Sequence, residues 1–193
     1  FYLPDVKSEQ FVRANADFYR YLDHVYSREL INEFEIPVEQ KLSGMSYGQK
    51  KKYIISFGLA TRAKFVIMDE PTNGLDIPSK VQFRKIMASA LTEDRCLIIS
   101  THQVRDLDNL IDAVIIIDQN KIVLNNSIFE IADKIQFKKI KELTTDIIYA
   151  EQVLGGHYAI LPATEFSDSK VDLELLLNGI LQQRERITNL IEA

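Results

Sequence analysis

Two adjacent carboxylates, Asp69 and Glu70, end a run of four apolar residues, Phe65-Val66-Ile67-Met68. A strand hydrophobic on both faces delivers its polar residues at its C-terminal edge, where ligands bind in open α/β sheets. An aspartate at that edge can hold Mg²⁺, directly or through water, because Mg²⁺ is a hard cation that takes oxygen ligands. A glutamate beside it can orient or deprotonate an attacking water. His102 follows a second apolar run, Cys96-Leu97-Ile98-Ile99, and stands 32 residues beyond Glu70. The chemistry these types allow is metal-assisted hydrolysis, with Asp69 for the metal and Glu70 for the water.

The elements that must position them alternate between helix and strand. Tyr47 to Thr61 and Pro78 to Leu91 have helical patterns, and Pro78 suits a first turn. Phe65–Met68 and Cys96–Ser100 are short continuous apolar runs, expected as strands buried on both faces, with Cys96 a small core residue. Val104 to Leu110 reads as a short helix, and Ala113–Ile117 with Lys121–Leu124 as a hairpin. Strand, helix, strand in this order predicts an α/β fold with a parallel sheet. Upstream, Phe11, Ala14, Phe18, Tyr21, Leu22 and Val25 recur at helical steps, which predicts one helix opened by Ser8. A second helix is expected over Ser27–Phe34, ending before Pro37. Downstream, Ile147–Ala150 and His157–Leu161 are expected to pair around Gly155-Gly156, ahead of an apolar helix over Asp172–Ile191.

Met68-Asp69-Glu70-Pro71-Thr72-Asn73-Gly74-Leu75-Asp76 resembles the Walker B strand and D-loop of ABC-type ATPases. Met45-Ser46-Tyr47-Gly48-Gln49-Lys50 resembles their signature loop, and Ile99-Ser100-Thr101-His102 their switch-histidine strand. The resemblance covers roughly residues 1–126. It implies a partial P-loop NTPase fold with a helical subdomain at 1–44, a core with the three motifs at 45–126, and a small α+β extension at 127–193. It also implies roles: Asp69 for the metal, Glu70 and His102 for catalysis, and Ser46, Gly48, Gln49 and Asp76 for the nucleotide. The implied cofactors are ATP and Mg²⁺. The implied partners are a second ATPase subunit and a separate transmembrane permease, at the inner face of the cell membrane.

Leu42-Ser43-Gly44 offers a competing start for the signature. In ABC ATPases the signature serine lies about 23 residues before the Walker B aspartate. Ser46 is 23 residues before Asp69, and Ser43 is 26. The Ser46 placement also aligns Gly48 and Gln49, with Met45 in place of leucine and Tyr47 in place of the first glycine. A serine and free N–H groups at a helix start form an anion site. Of the following lysines, Lys50, Lys51 and Lys52, at least two are expected on a solvated face.

None of the seven glycines precedes a Lys-[Ser/Thr] pair, so the chain carries no P-loop. It begins at Phe1 and is expected to be a piece of a longer ATPase, unable by itself to hold ATP tightly or hydrolyse it. The tail loosely resembles extensions of bacterial exporters, which makes export the expected direction. One cysteine excludes an internal disulfide framework. A net charge of -5 without a basic stripe argues against nucleic acid as a partner. No long coiled-coil arm or charged linker marks a DNA-repair or ribosome-associated ATPase, and a purely regulatory module is the remaining alternative.

Overall fold

The computed structural model describes residues 2–107, 110–164 and 169–192. The chain divides into two compact units, Phe1–Asp106 and Leu107–Ala193.

The first unit begins with α1 (Ser8–Asn15), a 3₁₀ turn at Ala16–Phe18 and α2 (His24–Glu33). The single helix expected from Ser8 to Val25 is therefore two. Asp23 starts the second by accepting the Tyr26 N–H at 2.9 Å, and its own N–H is held by the Ala60 carbonyl. Phe18, Tyr21 and Val25 are exposed, so their helical spacing does not mark a buried face. Ser8 is not the cap either. Lys7 occupies that position, its N–H donating to the Gln10 side chain, and Ser8 is buried in the first turn. After a 3₁₀ turn at Leu42–Gly44 comes α3 (Tyr47–Ala60). Phe11 of α1 stands edge-on to Tyr53 and Phe57 of α3, which fixes one helix on the other.

β1 (Phe65–Asp69), α4 (Ile77–Ala90) and β2 (Cys96–Ser100) follow. β1 and β2 are parallel, with Phe65 opposite Cys96 and Asp69 opposite Ser100. The expected parallel pairing is present, but burial on both faces is not. Met68 is buried while Phe65 and Ile67 are 71% and 76% exposed, and Cys96 is exposed rather than in the core. A parallel strand is covered twice only where a layer lies on each side. Among the described residues, nothing covers the face that carries Phe65 and Ile67. α4 starts at Asp76, whose carboxylate accepts the Ser79 N–H at 2.9 Å, and buries Phe83, Ile86, Met87 and Ala90. The expected helix over Val104–Leu110 is a 3₁₀ turn at Val104–Leu107, and residues 108 and 109 lie outside the described residues.

The second unit holds the hairpin β3 (Ala113–Asp118) and β4 (Lys121–Ser127), closed by Gln119 and Asn120, both in left-handed backbone. Residues 113–126, read from sequence with the ATPase core, thus pack in the second compact unit. α5 (Ile128–Lys134) opens with a reciprocal Ser127–Glu130 capping box. β5 (Ile135–Ile140), β6 (Tyr149–Val153) and β7 (Gly156–Pro162) form an antiparallel sheet in the order β5-β7-β6. α6 (Leu173–Glu192), broken at Gln183, buries Leu173, Leu176, Ile180 and Ile187. The pairing expected around Gly155-Gly156 is the β6–β7 hairpin.

The two turn glycines differ in what they tolerate. Gly155 has φ +80, and a Cβ there would meet only the end of the Lys139 side chain in ordinary contact at 3.9 Å, whereas a Cβ on Gly156 would collide with the Ile140 carbonyl oxygen of β5. Gly155→Ala is expected to cost only the left-handed penalty of roughly 1–2 kcal/mol. Gly156→Ala adds a backbone clash and is expected to lower the melting temperature clearly further. Thermal unfolding by circular dichroism checks the order, and equal losses would contradict this turn geometry.

Candidate functional site

The parallel register places the end of β2 alongside the carboxylates that end β1. Asp69 accepts a hydrogen bond from the Ser100 hydroxyl and remains exposed. Glu70 is bracketed by the next two residues of the neighbouring strand. Its Oε2 accepts from the Thr101 hydroxyl at 3.1 Å. Its Oε1 accepts from the His102 N–H at 3.0 Å and lies 2.6 Å from His102 Nδ1. The structure thus brings together Asp69, Glu70 and His102. Ser100 and Thr101 are additions. The sequence held a signal for them, since parallel strands of equal length put their C-terminal residues side by side.

Burial of the Glu70 carboxyl pushes its pKa up. The hydrogen bonds from the His102 ring and amide and from Thr101 outweigh this and bring it below its ordinary value. Glu70 is therefore an anion at neutral pH and can only accept, so Nδ1 of His102 carries a proton. With Nδ1–H committed to Glu70, the neutral ring presents Nε2 as an acceptor. Only the protonated ring donates from both nitrogens.

Glu70 itself has φ +46, left-handed and uncommon for a residue with a side chain. Its N–H donates to the Ser100 carbonyl, and its carbonyl accepts from Asn73, closing a turn over 70–73. Gly74 continues the turn at φ +79 under the Tyr47 ring, where any Cβ would sit within 3 Å of the ring carbons.

Tyr47 belongs to the start of α3. Ser46 is the N-cap. Its Oγ accepts the Gln49 N–H at 3.2 Å, and its own N–H donates to Gln49 Oε1 at 2.9 Å. The serine and glutamine picked out by spacing are thus partners in one cap. The Ser46 hydroxyl keeps its proton free to donate, and the residue is exposed. Gly48 lies against the Gly74 carbonyl. Ser43 is placed differently, in the preceding 3₁₀ turn, with its Oγ donating to Asp5 at 2.5 Å. Asp76 is engaged with its own helix. Bonds from the Ser79 hydroxyl and then the Ser79 N–H hold its carboxyl below the usual range.

The lysines depart from the solvated face expected for most of them. Lys51 is buried, and Lys52 is half-buried with its ammonium on the Phe34 carbonyl. Among the described residues no cluster of three or more His, Cys, Asp or Glu could hold a metal. The oxygen donors at hand, the Asp69 carboxylate and the Ser100 hydroxyl, suit Mg²⁺ that draws its other ligands from phosphate and water. A free hydroxyl at a helix N-terminus likewise suits a phosphate oxygen.

A carboxylate pair thus closes one strand of a parallel pair, and the histidine that follows the other strand lies on the second carboxylate. Solved structures share the fold. The ATP-binding subunit of an ABC transporter overlays with a TM-score of 0.58 at 21% identity, covering 67% of this chain and 57% of that one. A cobalt transport ATP-binding protein overlays at 0.57 and 16% identity, covering 98% of this chain and 68% of that one. The chain is a sequence relative of the ATP-binding proteins of ABC transporters. It is 27% identical over 115 residues to the ABC transporter ATP-binding protein YtrB of Bacillus subtilis, across 59% of this chain and 39% of that protein. It is 31% identical over 88 residues to the cobalt import ATP-binding protein CbiO of Salmonella paratyphi A, across 46% of this chain and 32% of that protein. With EcfA2, an energy-coupling factor transporter ATP-binding protein of Mycoplasmoides gallisepticum, it shares 25% over 142 residues, across 69% of this chain and 45% of that protein. The chain spans under half the length of these relatives. No protein-family model matches it.

Proposed function

We propose that this chain supplies the signature, Walker B, D-loop and switch-histidine side of an ATP-hydrolysing subunit that drives an ABC transporter. The observation that carries the reading is the Glu70 carboxylate, ionised and fixed by Thr101 and His102 at the carboxyl edge of a parallel pair.

In this reading Glu70 takes the proton of the attacking water, and His102 senses the terminal phosphate. Asp69, with Ser100 on its other oxygen, would hold Mg²⁺, which supplies charge neutralisation when bound. Ser46 donates its hydroxyl and the first-turn N–H groups of α3 face phosphate on a second ATPase subunit, with Gly48 leaving the approach open. Gln49 holds Ser46 in place. Asp76 fixes the start of α4 and so the D-loop that ends there. ATP and Mg²⁺ are the ligands, and a transmembrane permease is the driven partner.

Among the described residues no helix is long and apolar enough to cross a membrane, which suits a subunit attached to the inner face by its partner. The proposal carries no direction. The expectation of export rested on the tail, and relatives with a direction in their names are importers of cobalt and of ribose. By themselves the 193 residues lack a P-loop and are proposed to bind ATP weakly.

Phosphate release by the assembled transporter tests the function. Activity with Mg-ATP that disappears on chelation and returns with Mg²⁺ is the expected result. No ATP-dependent phosphate release in the presence of Mg²⁺ would remove the proposal.

A further inference from the structure

The side chain of Lys51 is buried at 5% exposure with no carboxylate paired to it among the described residues. Its ammonium donates to two backbone carbonyls, that of Glu70 at 2.5 Å and that of Asn73 at 2.9 Å, and lies 5.3 Å from the Tyr47 ring centre. A buried charge without a counter-ion is costly, and an apolar side chain of similar length would fill the space at less cost. Packing therefore does not account for a lysine here. The two carbonyls are the first and last of the turn over 70–73, which holds Glu70 in left-handed backbone. Hydrogen bonds from a charged donor are about twice as strong as neutral ones, which suits a clamp on a backbone that would otherwise relax.

Lys51 follows Tyr47 by four residues and shares its face of α3. Tyr47 presses on Gly74 while Lys51 holds residues 70 and 73. One helix thus carries the phosphate-facing Ser46 at its start and grips the turn that aims Glu70.

We infer that Lys51 is a positioning residue for Glu70: its buried ammonium locks the 70–73 turn, so that the Glu70 carboxylate is presented to water in the geometry set by Thr101 and His102. The inference rests on the proposed role of Glu70. In this role Lys51 acts through the backbone of the turn, by its bonds to the Glu70 and Asn73 carbonyls. Its loss acts on the chemical step and spares nucleotide affinity, because a small misplacement of a reacting group can cost about 10²-fold.

Steady-state ATP hydrolysis by the assembled transporter tests this with variants of Lys51 and a control at Tyr53. Lys51→Met is expected to lower kcat at least about tenfold with KM for Mg-ATP within about threefold, and Lys51→Arg to restore kcat to within about threefold of wild type. Tyr53→Phe removes a different buried hydrogen bond of α3, to the Ser8 carbonyl, and is expected to keep kcat. Should Lys51→Met not fold, Lys51→Gln is read against the same limits. The inference is overturned by unchanged kcat in Lys51→Met, by a loss that arginine does not reverse, or by an equal loss in Tyr53→Phe. Glu70→Gln, run alongside, separates the two levels. If it is as active as wild type, the role of Glu70 fails and the Lys51 inference with it. If it is slow while Lys51→Met is unaffected, only the Lys51 inference fails.

Discussion

Glu70→Gln in the complete ATPase is expected to bind Mg-ATP as wild type does and to turn it over about 10²–10⁴-fold more slowly, the usual cost of losing a general base. The substitution is conservative in shape. The amide oxygen still accepts from the His102 N–H, and the amide nitrogen can donate to the Thr101 hydroxyl in place of accepting from it. What disappears is the negative charge, and with it the capacity to take a proton. Binding measured by calorimetry and phosphate release measured on the same preparation check both halves. Activity within threefold of wild type would remove Glu70 from the catalytic role. The same variant has a second signature. The lowered carboxyl pKa of Glu70 contributes stability that is present above its ordinary unfolded value and lost as pH falls through the folded one. Acid unfolding of Glu70→Gln is expected to lack that part of the pH dependence.

Ser46→Arg is expected to abolish hydrolysis, whereas Ser43→Ala keeps most of it. Ser46 caps α3 and offers its hydroxyl proton at an exposed helix start. An arginine there loses the cap, for about 0.5–2 kcal/mol of helix stability, and blocks the approach of phosphate. Ser43 sits three residues earlier, and its hydroxyl is spent on Asp5, beside the Lys41–Asp5 ion pair at 2.6 Å. Exposed contacts of this kind contribute little, about 1 kcal/mol or less. Loss of turnover in Ser43→Ala with activity spared in Ser46→Arg would move the phosphate-facing loop to Leu42.

Much of the site was legible because its information is local. The carboxylates can be read from the apolar run they end, and the helix start 23 residues upstream from the resemblance to ABC-type ATPases. Once β1 and β2 are parallel and equal in length, His102 must lie near Glu70. The grip of Lys51 was not legible, because three consecutive lysines look alike in sequence and only the direction each takes from α3 separates them. Burial of β1 and of Cys96 was misread for a related reason. An apolar run suits a strand covered on both faces, but among the described residues nothing covers Phe65 and Ile67. The first helix was over-extended because Phe18, Tyr21 and Val25 keep the helical step, while Asp23 caps a new helix between them. α5 and β5 went unread in a segment of mixed composition, although Ser127 and Glu130 stand at the spacing of a capping box.

The molar mass of the complete ATPase subunit carrying Glu70→Gln, with and without Mg-ATP, is the most direct test of the proposed division of the site between two subunits. If Ser46 serves a nucleotide on the opposite subunit while the Glu70→Gln variant hydrolyses it too slowly to release it, light scattering finds a dimer with ATP and a monomer without. Each dimer then retains two ATP molecules, and adding Ser46→Arg returns the monomer. A protein that stays monomeric with ATP bound at saturation, or a dimer indifferent to Ser46→Arg, would contradict the assignment of the signature loop and the shared site built on it.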